Sequence, residues 1–182
     1  VVSANDFFAV SHKIEGYNAR SLIGKTFTLS FWVRSSVTGT YSISLFNSTG
    51  LGSTDRSYVA EYTINSADTW EYKTITITNG LITAGTWDWT NGVGLTVNWT
   101  LMCGTNRQIS AGAWSSSWSF GTASQVNAIG TIGNIFQVLP STAANPGYGL
   151  AGVNGNDPFS VGAYLSALWN GPAQGNLAQA IS

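Results

Sequence analysis

Hydrophobic and polar residues alternate along the segment TFTLSFWVRSSVTGTYSISL, residues 26–45. Successive side chains of an extended backbone point to opposite faces of a sheet, so this alternation predicts a half-buried strand. One face of that strand is apolar and would enter the core: Phe27, Leu29, Phe31 and Val33. The other face carries Trp32 and Arg34, which would point away from the core.

A second strand is predicted after the break at Gly39. There Tyr41, Ile43 and Leu45 alternate with serines, and the short connection favours a strand that returns beside the first one. The same pattern recurs in the segments 57–64, 71–78, 94–103 and 134–139. Helix signals are scarce, with short candidates at 161–169 and 170–181.

Short strands with Gly-rich connections predict an all-β fold, an antiparallel β-sandwich of jelly-roll-like topology with long Gly/Ser/Asn loops. The 182 residues suit a single domain, 1–182, with its core at 14–139 and an irregular C-terminal extension at 140–182. Two segments, 111–126 and 140–158, are long for loops. Loops of that length inside a domain are usually functional or ordered by a neighbour.

The charge pattern narrows the range of partners. Charged residues make up 8% of the chain and the formal net charge is −1, without a Lys/Arg cluster, so nucleic acid is not an expected ligand. No apolar run reaches the roughly 20 residues that a membrane-spanning helix needs.

Cys103 is the single cysteine, which excludes an intrachain disulfide, and its apolar neighbours predict an ordinary buried thiol.

Four tryptophans form two pairs that would suit sugar rings. Trp87 and Trp89 lie two residues apart in GTWDWTNG, so their rings would project to the same side of an extended segment and offer a stacking surface. The competing interpretation is that Trp87 closes the end of the core. Trp114 and Trp118 lie four apart in a Ser-rich loop and would bind a ligand or subunit if both were exposed, whereas burial of Trp114 is the simpler interpretation.

The strand face of Trp32 and Arg34 is a third candidate. Asn98 and Thr100 are predicted on the corresponding face of another strand. A sheet face with an aromatic ring, a guanidinium and amides would make a saccharide groove, because Arg and Asn can bond vicinal hydroxyls. It would equally suit packing against an adjacent subunit.

Catalytic and metal signatures are weak. His12 is the single histidine, so this chain does not assemble a zinc site from histidines and cysteines. The acidic residues are scattered without a pair that suits glycoside hydrolysis, and no nucleophile motif is present. Turn aspartates at 55, 68, 88 and 157 could supply ligands to Ca²⁺, although Asx-turns explain them as well. We therefore expect a protein without enzymatic activity and without a cofactor.

Several runs resemble a known family. FTLSFWVRSSVTGTYSISL, ADTWEYKTITI, GTWDWTNGVGLTVNWTLMCG and AWSSSWSFGTASQVNAIGTIGNIFQV are similar to a β-sandwich domain of bacteriophage tail-fibre and related virion proteins, whose fold is like that of carbohydrate-binding modules. The resemblance covers residues 14–138. Such domains usually close with a strand of the pattern GVQLE, and here the chain departs from that pattern after residue 138.

The resemblance implies a non-enzymatic virion protein, namely a tail fibre, head fibre or decoration protein located in the virion. It would attach to other virion subunits, bind host surface polysaccharide and form a homo-oligomer, by analogy a homotrimer. The alternative is a carbohydrate-binding module of a secreted bacterial polysaccharide-active enzyme. A jelly-roll polysaccharide lyase is the third hypothesis. It needs a Tyr/His/Arg/Gln cluster on one sheet, whereas His12 precedes the predicted strands.

Overall fold

The computed structural model describes residues 2–47, 56–140 and 165–168. Its strands, in chain order, are β1 Phe7–Glu15, β2 Phe27–Ser35, β3 Gly39–Phe46, β4 Ser57–Ile64, β5 Glu71–Ile77, β6 Val93–Cys103, β7 Trp114–Ser115, β8 Ile135–Pro140 and β9 Leu165–Leu168. Helical structure in the described ranges consists of one short helix and two 3₁₀ turns: α1 Gly16–Ala19, Arg20–Leu22 and Thr105–Arg107.

The strands form two antiparallel sheets that pack face to face. The five-stranded sheet has the order β1-β6-β3-β4-β7, and the four-stranded sheet has the order β5-β2-β8-β9. Most neighbours within a sheet are not consecutive in sequence, because the chain crosses repeatedly from one sheet to the other. The predicted all-β sandwich is therefore confirmed for the described part of the chain.

The predicted core face of β2 is confirmed. Phe31 and Val33 are fully buried, Leu29 is buried and Phe27 is half-buried, while Trp32 is exposed. The largest buried rings come from both sheets and meet between them. Phe31 contacts Tyr62 and Trp99 edge to face, with ring centroids 5.1 and 5.7 Å apart. One core therefore joins the two sheets.

The predicted pairing of the first two strands is wrong. β2 is bonded to β5 and β8, whereas β3 is bonded to β4 and β6 in the opposite sheet. The Tyr41 hydroxyl reaches back across the connection, donates to the Val37 carbonyl at 2.8 Å and bonds the Ser35 hydroxyl at 2.8 Å. Alternation tells which side chains face inward, but it does not tell which strand lies alongside. The connection is thus an arch between sheets.

The long segment 111–126 is ordered by its own domain. It packs on the outer face of the five-stranded sheet, where the Thr100 hydroxyl donates to the Phe120 carbonyl at 2.7 Å and the Thr122 amide donates to the Ser42 hydroxyl at 3.3 Å. Farther along, the Val126 amide donates to the carbonyl of Thr40 at 2.9 Å. We call residues 105–126 the cover segment. The cover segment explains why β3 and β6 are buried on both faces.

The ends of the sandwich differ from the sequence prediction. The five-stranded sheet begins at Phe7, before the predicted start of the core at residue 14, because β1 pairs along β6 from Phe7 opposite Cys103. Residues 165–168 lie within the helix predicted at 161–169, but they form β9, which pairs with β8. The predicted loop at 140–158, beyond Pro140, and the predicted helix at 170–181 lie outside the described residues.

Candidate functional site

An aromatic pair lies exposed on the outer face of the four-stranded sheet. Trp32 of β2 is directly opposite Tyr72 of β5, and their ring centroids are 5.3 Å apart with planes inclined at 50°. Trp32 is 43% exposed and Tyr72 is 45% exposed. A cross-strand pair of large rings that keeps nearly half of its surface in water presents apolar area to a partner.

The placement of this pair follows from the alternation of both strands. Their inward neighbours, Phe31 in β2 and Ile75 in β5, are buried in the core, so the rings at 32 and 72 must point outward. The sequence predicted the outward position of Trp32 correctly. It did not identify Tyr72, although the alternation of EYKTITI contains that signal.

Arg34 lies next to Trp32 on the same outward face. Its guanidinium Nη2 is 3.6 Å from Oδ1 of Asp68, which sits at positive φ (55°) in the turn before β5. The Asp68 amide donates to the Ser35 carbonyl at 2.8 Å, and this bond fixes the turn against the end of β2. The ion pair thus places a guanidinium, with a carboxylate next to it, beside the aromatic rings.

Hydroxyl groups continue the face in the other direction. Thr74 and Thr76 of β5 and Thr28 of β2 are exposed, and the Thr28 and Thr76 hydroxyls are 3.1 Å apart. Ser30 of β2 lies between Thr28 and Trp32 on this face, opposite Thr74, and is buried. Hydroxyls both donate and accept hydrogen bonds, so this part of the face is suited to polyhydroxylated ligands.

A structural carboxylate holds the turn that carries Asp68. Glu71 accepts bonds from the Asn65 amide at 2.8 Å, the Ser66 amide at 2.8 Å and the Lys73 ammonium at 2.6 Å. Partial desolvation acts to raise the pKa of Glu71. The hydrogen bonds from Lys73, Ser66 and Asn65 outweigh it and lower the pKa from 4.5 to about 2. Glu71 is therefore ionised and fully engaged in the turn.

Trp87 and Trp89 do not form a joint stacking surface. Their rings stack on each other with centroids 4.7 Å apart and planes only 8° apart, so each covers one face of the other. Both are half-buried against the core, and the Trp87 Nε1 donates to the Ala84 carbonyl at 2.9 Å. The geometry agrees with the interpretation that Trp87 closes one end of the core.

Trp114 and Trp118 are separated by the structure. Trp114 packs edge to face on Trp87 and donates its Nε1 to the Gly80 carbonyl at 2.9 Å. Trp118 lies with Phe120 in the cover segment, 4.8 Å between centroids, and the Arg107 guanidinium sits over its ring. The two rings therefore do not form an exposed pair, because both are half-buried in different clusters. The position of Trp114 agrees with the simpler interpretation, which was burial.

Asn98 does not share a face with Trp32 and Arg34. It lies on β6, on the outer face of the other sheet, and is only 2% exposed. Its amide bonds the Ser11 and Ser44 hydroxyls at 2.5 and 3.3 Å, which ties β1, β6 and β3 together. The predicted grouping assumed that both strands belonged to one sheet, and the sandwich places them on opposite sides.

The residues considered for metals and catalysis have local structural roles. The carboxylate of Asp88 accepts bonds from the amide and hydroxyl of Thr90, which is an Asx-turn, and these bonds lower its pKa. His12 was expected outside the strands but lies in β1, where burial lowers its pKa. Asp55 and Asp157 lie outside the described residues. Among the residues described, no group of three His, Cys, Asp or Glu could hold a metal ion.

Comparisons with known proteins add no relatives. No family model, curated protein or solved structure matches this chain. The resemblance to phage fibre domains therefore stays a prediction from the sequence. Within the described ranges, none of the helices has the length and the apolar character to cross a membrane.

Proposed function

We propose that this chain is a non-enzymatic attachment domain that binds saccharide through the outer face of its four-stranded sheet. The observation that carries the proposal is the exposed, contacting pair of Trp32 and Tyr72. The C–H face of a pyranose packs on an aromatic ring much as another ring does, and the amphipathic sugar keeps its hydroxyls free for polar neighbours. Arg34 and the threonine hydroxyls supply such neighbours.

The biological setting follows from the sequence resemblance. The domain would belong to a phage virion component, a tail fibre, head fibre or decoration protein, and would attach to other virion subunits. A single small aromatic face binds weakly, and several copies on one particle raise the avidity without new contacts. A homotrimer is the assembly that the resemblance implies. The same face would serve a carbohydrate-binding module of a secreted bacterial enzyme, which is the second candidate.

A glycan array combined with light scattering tests the proposal. The wild-type domain should bind at least one class of saccharide, and Trp32→Ala should weaken that binding by about 2 kcal/mol, roughly thirtyfold. Trp32→Phe should restore part of the affinity because it keeps a stacking ring. Tyr17→Ala is the matched control, since Tyr17 is a 60% exposed aromatic residue on α1, away from the sheet face.

The outcomes separate the alternatives. An oligomer that binds saccharide supports the virion role, and a monomer that binds saccharide favours the enzyme-borne module. An oligomer that binds no saccharide and that Trp32→Ala dissociates would overturn the proposal, because the face would then be a subunit interface.

A further inference from the structure

The aromatic pair is one end of a longer polar surface. We define the β2–β5 strip as the outward residues of these two strands: Thr28, Ser30, Trp32, Arg34, Tyr72, Thr74 and Thr76. Three cross-strand rows follow one another along it, Trp32 with Tyr72, Ser30 with Thr74, and Thr28 with Thr76. From Arg34 to Thr28 the strip extends about 20 Å, at about 3.4 Å per residue.

The strip carries no unpaired charge. Its one cation, Arg34, forms an ion pair with Asp68, in which Nη2 of Arg34 is 3.6 Å from Oδ1 of Asp68. The nearest other charges, Glu71 and Lys73, alternate to the opposite side of β5 and bind each other at 2.6 Å. An anionic ligand that bonds the other N–H groups of Arg34 would lie beside the Asp68 carboxylate, which is unfavourable. The electrostatics therefore favour a neutral ligand.

The hydroxyl rows favour a ligand that is polar along its whole length. Thr28, Thr74 and Thr76 are exposed, and the bond between Thr28 and Thr76 uses only one of the two protons, which leaves one donor and several lone pairs for a ligand. Leu139 of β8 lies opposite Trp32 and adds to the apolar area of the aromatic pair, whereas the other positions of the strip are hydroxyls and Arg34, unlike the apolar core of a protein–protein interface.

We infer that the β2–β5 strip binds a linear, neutral glycan that lies along the strands. One sugar stacks on Trp32 and Tyr72, and the following units hydrogen-bond Thr74, Thr76 and Thr28. This inference rests on the proposed function and adds the class and orientation of the ligand. The aromatic pair and the hydroxyl rows follow one another in a line of about 20 Å along the strands, so an unbranched chain can contact all of them.

Oligosaccharide ladders with matched acidic counterparts test the inference by titration calorimetry. The probes are gluco-, manno- and galacto-oligosaccharides of increasing length, each beside its glucuronate, mannuronate or galacturonate counterpart. At least one neutral ladder should bind, with affinity that rises with chain length and then levels off when the strip is filled. Binding should change less than about twofold between low and high salt, because no net charge is engaged.

Variants of the strip test where the glycan lies on it. The double variant Thr74→Val and Thr76→Val keeps the side-chain shape and removes two hydroxyls. It should weaken the longer oligosaccharides by roughly threefold to tenfold and leave the shortest ones unchanged, since these contact the aromatic pair alone. Thr63→Val is the control, because Thr63 is an exposed threonine of β4 in the other sheet. Circular dichroism checks that each variant is folded.

Two results would overturn the inference while the proposed function stands. They are binding confined to the uronate ladders, and neutral binding that the Thr74/Thr76 variant leaves unchanged at every length. Absence of binding to every ladder, neutral and acidic, would instead remove the proposed function itself.

Discussion

At the scale of single residues, neighbouring positions of β2 have opposite roles. Phe31 is fully buried and contacts rings of the other sheet, whereas Trp32 is 43% exposed beside Tyr72. One residue step along the strand thus separates a side chain that holds the sandwich together from one that is free to contact a partner.

Phe31→Ala should therefore cost about 3 to 5 kcal/mol of unfolding free energy, because it leaves a cavity in the core. Trp32→Ala, its neighbour on the outer face, should cost less than about 1 kcal/mol. Chemical denaturation of both variants gives the comparison. Equal losses, or a larger loss at Trp32, would mean that the two faces of β2 are assigned backwards.

Glu71 gives the stability a defined pH dependence. Folding lowers its pKa from 4.5 to about 2. The contribution of Glu71 to the unfolding free energy is therefore complete above the pKa of the unfolded state. That contribution is lost as the pH falls from about 5 toward 2. In Glu71→Gln the unfolding free energy should be lower near neutral pH and should fall less steeply with acid. Parallel pH profiles of wild type and variant, measured by denaturation, would contradict this role.

At the scale of elements, the cover segment is the main addition to the two sheets. It lays Phe120 and Trp118 on the outer face of the five-stranded sheet, where they form a second small apolar cluster with Phe46 and Cys103. Burial raises the pKa of the Cys103 thiol to about 11, against a smaller opposing effect of Gln108. The cover segment therefore shields the thiol from solvent.

The rate of reaction with a thiol reagent at pH 8 measures how well the cover segment shields Cys103. Wild-type Cys103 should react slowly, because the thiolate is scarce and buried. Phe120→Ala should accelerate the reaction at least about tenfold by loosening the cover segment over the sheet. Trp89→Ala removes a half-buried ring that packs against the main core and not against the cluster of Cys103. It should leave the rate close to that of wild type. A wild-type rate equal to that of the unfolded chain would rule out the shielding.

At the scale of the whole molecule, one core joins the two sheets. Buried side chains of β2, β5 and β8 meet those of β1, β3, β4 and β6 in a single cluster. The sheet pairings also connect distant parts of the chain, such as Phe7 with Cys103. Neither sheet can keep its apolar face covered without the other.

Unfolding should accordingly be one cooperative transition. Far-UV circular dichroism, which reports the sheets, and tryptophan fluorescence, which sums the signal of eight tryptophans including the buried Trp99, should give the same midpoint in denaturant. Refolding should be slow, in the millisecond-to-second range, because the pairings are non-local. Two separate midpoints would show that the sheets are independent units.

The sequence alone determined the local features of this protein. Alternation identified most of the main strands and the two faces of β2, including the outward position of Trp32, because the two-residue period of a strand is a property of the backbone itself. The all-β class followed from the same pattern. The single cysteine likewise excludes an intrachain disulfide, because that is a property of the composition and does not depend on how the chain folds.

Tertiary structure decided which elements are neighbours. Alternation does not name the adjacent strand, so the pairing of β2 with β5 and β8, and the separation of Asn98 from Arg34, depend on how the chain crosses between sheets. The tryptophans show the same limit. Trp87, Trp89, Trp114 and Trp118 were candidate binding residues beside Trp32, and the sequence left their burial open. They are half-buried because loops and the cover segment bring other rings against them. Only the packing of distant segments leaves Trp32 and Tyr72 together in solvent, since burial depends on neighbours that the local pattern does not specify.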